Sequence, residues 1–302
     1  MTKTPTEEER NKMYQIKNEF LSIAVNPVGA ELSSIKNLET GIEHLWQGNP
    51  KIWASQAPNL FPVIGVLKNG EYTFEDRTYK MPKHGFVRYN ENIQLISETK
   101  NELVFELQFS EESLQQYPFK FIYQIAFKLN GKSLEVSHKV SNLDKKPMYF
   151  SIGGHPAFNA PISLNEDYED YYLEFDRKMD LRTYLLNDEG LVSKKTKGIL
   201  DNENKIWLKK DLFEDDALIF KNIPSTKVAL KSKISGSVLS VEYPDFKNLG
   251  IWAKPGAPYV CIEPWLGIAD VEGTDQNLKN KEGIEQLEPG KIYQADYVIN
   301  ID

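Results

Sequence analysis

One cysteine, Cys261, in 302 residues leaves no partner for an internal disulfide and rules out a multi-cysteine metal site. Histidine is nearly as scarce: the four present form no His-x-His or His-Glu-x-x-His pattern, so no metal centre is expected. Lys and Arg number 36 against 44 Asp and Glu, and the net charge of −8 argues against nucleic acid or an anionic membrane as partner. No apolar run reaches the roughly 18 residues of a membrane span, and Met1-Thr2-Lys3-Thr4-Pro5 opens no signal peptide. P-loop and dinucleotide fingerprints are missing, and Ile234-Ser235-Gly236-Ser237 supplies no Gly-x-Ser-x-Gly elbow. These absences lead to the expectation of a soluble cytoplasmic protein that works without a cofactor or metal.

What is present favours strands. Hydrophobic residues make up 40% of the chain and aromatics 12%, enough for a core and for apolar or sugar-like clefts. Short alternating runs recur, as in 20–25, 30–35 and 103–109. Residues 121–129 and 133–140 flank Asn130-Gly131, a two-residue hairpin signal, and 75–77 mark a second hairpin. Helical spacing is confined to 111–116 and 201–212. Roughly fifteen to twenty strands without βαβ alternation predict an all-β sandwich. Residues 1–12 read as a flexible lead-in, 13–302 as a single domain, and the Lys-rich stretch 193–204 as a surface excursion.

Three places carry candidate chemistry. His155 stands in Gly153-Gly154-His155-Pro156-Ala157-Phe158, where glycine lets the chain turn or a ligand approach and proline ends the strand. His84, in Lys83-His84-Gly85-Phe86-Val87-Arg88, has a matching setting; a lone loop histidine is by default a surface residue, but two alike weigh against that. Arg88 can grip an oxygen-rich ligand or serve a surface ion pair. Glu263 closes the apolar run Tyr259-Val260-Cys261-Ile262 before Pro264-Trp265; it is a general base or a salt-bridged strand end. Cys261 shares its face and reads as a small core residue. His44 and His138 read as structural or solvent-exposed, Asp245 as a turn residue, and Asp215-Asp216 as a solvated loop.

Taken in order, His-Gly-Phe-Val-Arg, Gly-Gly-His-Pro-Ala-Phe and Ile-Glu-Pro-Trp-Leu-Gly resemble the aldose 1-epimerase (galactose mutarotase-like) family, most closely its LacX-like branch. The likeness extends over residues 15–300. It implies a β-supersandwich with few short helices and a cofactor-free interconversion of the α and β anomers of an aldose. By that resemblance Glu263 is the base, His155 the acid and His84 a second histidine polarising sugar oxygens, while Arg88 and Asp216 bind substrate. His155 must then be held protonated, for instance by a nearby carboxylate. Galactose mutarotases carry an arginine where this chain has Gly65-Val66-Leu67-Lys68-Asn69, so the sugar is left open. A phosphorylated aldose would want Lys68, Lys83 and Arg88. Two rivals stand beside this reading: a non-catalytic carbohydrate-binding protein of the same fold, and a glycoside hydrolase using Glu263 and Asp270. The oligomeric state is left open.

Overall fold

A computed structural model describes residues 12–302. The lead-in expected over 1–12 therefore lies almost wholly outside the described residues. Antiparallel strands dominate. One sheet of 15 strands runs from Asn59–Leu60 through Ile152–Gly154, Tyr259–Leu266, Asn248–Trp252, Leu218–Phe220 and Tyr171–Leu186. It continues through Lys227–Ser232, Gly236–Glu242, Ile292–Ile301, Ser133–Asn142 and Phe121–Asn130 to Glu102–Gln108 and Gln94–Glu98. The inner faces of strands far apart on this path meet in one core, where Phe61, Phe105 and Phe121 share a cluster with Leu173, Leu230 and Tyr259. This is the all-β supersandwich expected.

Pattern explains position. Phe121–Asn130 alternates buried Phe121, Tyr123, Ile125, Phe127 and Leu129 with less buried residues, of which Lys128 and Asn130 are exposed, so one face meets the core. Tyr259–Leu266 is buried at every residue, which requires cover on both faces and suits its near-continuous apolar sequence. That strand carries Glu263.

Several local expectations are met or corrected. Glu111–Gln116 is a helix, closed by a capping box between Ser110 and Ser113. Residues 201–212 are not helical. Val192–Trp207 is a 16-residue strand paired, with register shifts, to Tyr171–Leu186. The stretch 193–204 is thus part of the sheet, with exposed residues at successive positions, Lys194 and Lys195 among them, in place of a regular apolar alternation. In the 121–142 hairpin Asn130 pairs with Ser133, so the loop is Gly131-Lys132, one residue beyond the expected pair. Phe74 pairs with Arg77 around Glu75 and Asp76, both at positive φ, as a type I′ turn requires. His138 is structural: it is fully buried, and its Nδ1 lies 2.9 Å from the Tyr123 hydroxyl. His44 is buried as well.

Candidate active site

Strand register builds the centre of the site. Gly153 pairs with Trp265, and Ala157 pairs with Cys261, on the same central strand. Between these two clamps the chain leaves the ladder at His155-Pro156, because proline has no N–H to donate. No residue is gained or lost across the gap, so His155 comes opposite Glu263. Its Nε2 lies 3.3 Å from Oε2 of Glu263, and both residues are buried. The His155 N–H donates to the Pro58 carbonyl at 3.1 Å, which pins the backbone.

The two glycines before His155 do not serve a turn, since neither has positive φ. They make room for side chains. A Cβ on Gly153 would stand 2.7 Å from the Pro264 carbonyl oxygen and 2.8 Å from Trp265, and one on Gly154 would stand 2.6 Å from the Tyr297 hydroxyl. The room foreseen for a ligand is thus occupied by protein.

His84 adopts φ +67°, a region a side chain enters at a cost, and such strain gathers at functional sites. A pair of hydrogen bonds holds it there. The His84 N–H donates to the Gly65 carbonyl at 2.8 Å, and the Gly65 N–H donates to His84 Nδ1 at 3.1 Å. With Nδ1 an acceptor, the neutral ring carries its proton on Nε2. The ring meets that of His155 edge-on at 5.6 Å between centroids. Trp53 stacks on the other side of His155 at 5.0 Å.

These residues line a cavity of about 480 Å³ together with Lys83, Arg88, Asp216 and Trp252, a size suited to a small ligand. Arg88 is half-buried; its guanidinium lies 4.5 Å over the Tyr89 ring and 3.5 Å from Ser55 Oγ. Asp216 is exposed at the mouth in a left-handed conformation, capping its neighbour's N–H. Asp215 points elsewhere and pairs with Lys197 at 2.8 Å. The doublet read as a solvated loop is therefore split, with one carboxylate at the cavity. Lys68 and Asp270 do not line the cavity. Asp270 is buried against Lys281 at 2.8 Å and accepts the Lys68 N–H at 2.9 Å. The carboxylate pair of the hydrolase rival is not assembled.

Burial governs the charges. It pushes the Glu263 carboxyl well above its ordinary range; the cations Lys83 and Arg88 and the Trp265 indole oppose this, and Asp216 adds to it. Burial, reinforced by Arg88, takes His155 down to about 3, and burial with the His155 and Lys83 charges takes His84 well down. The carboxylate expected beside His155 is present, but in the ligand-free site it does not hold the imidazole charged. Burial disfavours both the Glu263 carboxylate and the His155 imidazolium. Trp53, Trp252 and Glu214 were not foreseen from the sequence; the signal for Trp53 was a tryptophan in a polar loop outside any alternating run.

Residues 12–300 match the family described as Aldose 1-epimerase. The chain is 34% identical over 296 residues to the chromosomal protein LacX of Lactococcus lactis subsp. lactis, covering 95% of this chain and 98% of that one. Its structure superposes on a galactose mutarotase related enzyme from Lactobacillus acidophilus with TM-score 0.92 and 35% identity, over 96% of this chain and 97% of that one. A galactose mutarotase-like protein from Lactobacillus casei gives TM-score 0.90 at 27% identity, over 96% and 100% of the two chains. The chain belongs to the aldose 1-epimerase family, and within it resembles the LacX proteins.

Proposed function

We propose that the protein is a mutarotase, interconverting the α and β anomers of an aldose or aldose phosphate, with Glu263, His155 and His84 as catalytic residues. The observation that carries this reading is the 3.3 Å contact between His155 and Glu263 at the cavity. Ring opening removes a proton from the anomeric hydroxyl and delivers one to the ring oxygen. Both oxygens sit on the same carbon, so acid and base must be neighbours. A glycoside hydrolase instead needs two carboxyls about 5 Å or more apart.

Proton counting supports the same reading. Before ring opening Glu263 is ionised and His155 protonated; afterwards Glu263 holds the proton and His155 is neutral. Both states carry one proton on the pair. Burial favours the neutral forms of both groups, which are the forms the pair holds once the ring is open. Rotation about C1–C2 and reclosure on the other face complete the reaction. His84 donates from Nε2 to a sugar oxygen, Arg88 donates to further oxygens, and Asp216 accepts from hydroxyls. The faces of Trp53 and Trp252 suit the apolar side of a pyranose. Residues 13–302 act as one unit, since the strand bearing Glu263 is internal to the long sheet.

Anomeric exchange followed by NMR across aldoses and hexose phosphates tests the proposal. Faster exchange with at least one sugar is expected, and Glu263→Gln and His155→Asn should each cut it by about 10²-fold or more with folding intact. Saturable binding without faster exchange would favour the binding-protein rival.

A further inference from the structure

Cys261 lies two residues before Glu263 on the central strand, hence on the same face. Its sulfur, a ring nitrogen of His155 and a carboxylate oxygen of Glu263 all fall within 4.8 Å of one another. All three residues are more than nine-tenths buried. Among the described residues His155 Nδ1 and Glu263 Oε2 have no hydrogen-bond partner. One nitrogen, one sulfur and one oxygen make a donor set that suits Zn²⁺, and the cavity supplies an open fourth position. Two ligands at about 2.0–2.1 Å from a tetrahedral ion stand roughly 3.3 Å apart, the separation seen between His155 and Glu263.

We propose that His155, Cys261 and Glu263 form a binding site for Zn²⁺ that shuts off the proton-transfer pair. Sequence spacing could not show it, because the histidine lies in the gap between two short strands and the cysteine on the strand they pair with, over 100 residues away. Binding needs a thiolate, a neutral imidazole and a carboxylate. Zn²⁺ therefore displaces two protons, one from the thiol and one from the His155–Glu263 pair. No bond to carbon changes and no electron moves. The site stands on geometry alone; only the inhibition rests on the proposed mutarotase activity.

The test uses metal-free full-length protein, with Co²⁺ as a spectroscopic probe and Zn²⁺ as competitor. A thiolate-to-cobalt charge-transfer band should appear at one equivalent, vanish on adding Zn²⁺ and be missing from Cys261→Ala and Cys261→Ser. Zn²⁺ should slow anomeric exchange, with reversal by chelator. The cysteine variants should keep exchange and need at least about tenfold more Zn²⁺ for inhibition. No cobalt–thiolate band in folded protein would overturn the site. Equal Zn²⁺ inhibition in wild type and both variants would overturn the role of Cys261. If no sugar is turned over, the cobalt band still decides the site, so the two proposals fail separately.

Discussion

The indole of Trp265 lies over Gly153, leaving 2.8 Å between its Cδ1 and the place a Cβ would take. The same indole crosses Gly250 on the opposite neighbouring strand, where a Cβ would come within 2.5 Å of the ring. Two glycines on flanking strands thus form the bed of one tryptophan, two residues from Glu263. Gly153→Ala should destabilise the fold by about 1–3 kcal/mol, because the backbone oxygen of Pro264 blocks the methyl on its other side. Urea denaturation measures the loss. Wild-type stability in the variant would mean that the strands part more readily than this packing allows.

His84 has two separable features, its ring and its left-handed backbone. Asparagine tolerates that backbone far better than alanine. His84→Asn should therefore keep more stability than His84→Ala, while both lose exchange activity by about 10²-fold or more. Thermal melts beside NMR exchange rates separate the effects. An active His84→Ala would remove His84 from the proposed machinery.

Lys281 and Asp270 form a buried ion pair outside the cavity. Burial draws the Lys281 ammonium below its ordinary pKa, with Asp270 resisting. Lys281→Met leaves a carboxylate uncompensated and should cost about 3–5 kcal/mol. Adding Asp270→Asn, which still accepts the Lys68 N–H, should recover much of this. Equal stability of the single and double variants would contradict the pairing.

Acid should weaken the fold through His44 and His138. Burial lowers them to about 4 and about 3 respectively, with Asp302 partly opposing the shift at His44. In the unfolded chain each titrates near 6.5. Between that value and the folded one, the unfolded state binds a proton that the folded state refuses, so stability falls as pH drops below about 6.5. Above it neither residue contributes a slope. His138→Gln should flatten the decline of the urea midpoint between pH 7 and 4. An unchanged slope would show that His138 does not set the acid response.

The candidate residues were legible because chain punctuation marked them: proline after His155 and after Glu263, and glycine after His84. Strand alternation made the core legible too. Three things were hidden. Gly153 and Gly154 looked like room for a ligand, yet their neighbours Trp265 and Tyr297 come from strands over 100 residues away in sequence. Among the described strands, Val192–Trp207 pairs only with Tyr171–Leu186 and exposes neighbouring residues such as Lys194 and Lys195, so the apolar alternation that would have announced a strand is missing. Burial lowers His155, whereas charge counting alone had placed a stabilised imidazolium there.

His155 and Glu263 are spaced by ladder pairs on both sides of the gap, whereas Trp53, Lys83, Glu214 and Asp216 come from segments outside the strands. Reaction geometry and ligand choice are therefore written in different parts of the chain. On the proposed mutarotase reading, the segments around the mouth could change to suit another ligand while the ladder pairs keep the spacing of His155 and Glu263, so one such scaffold could be retuned by changing its rim alone.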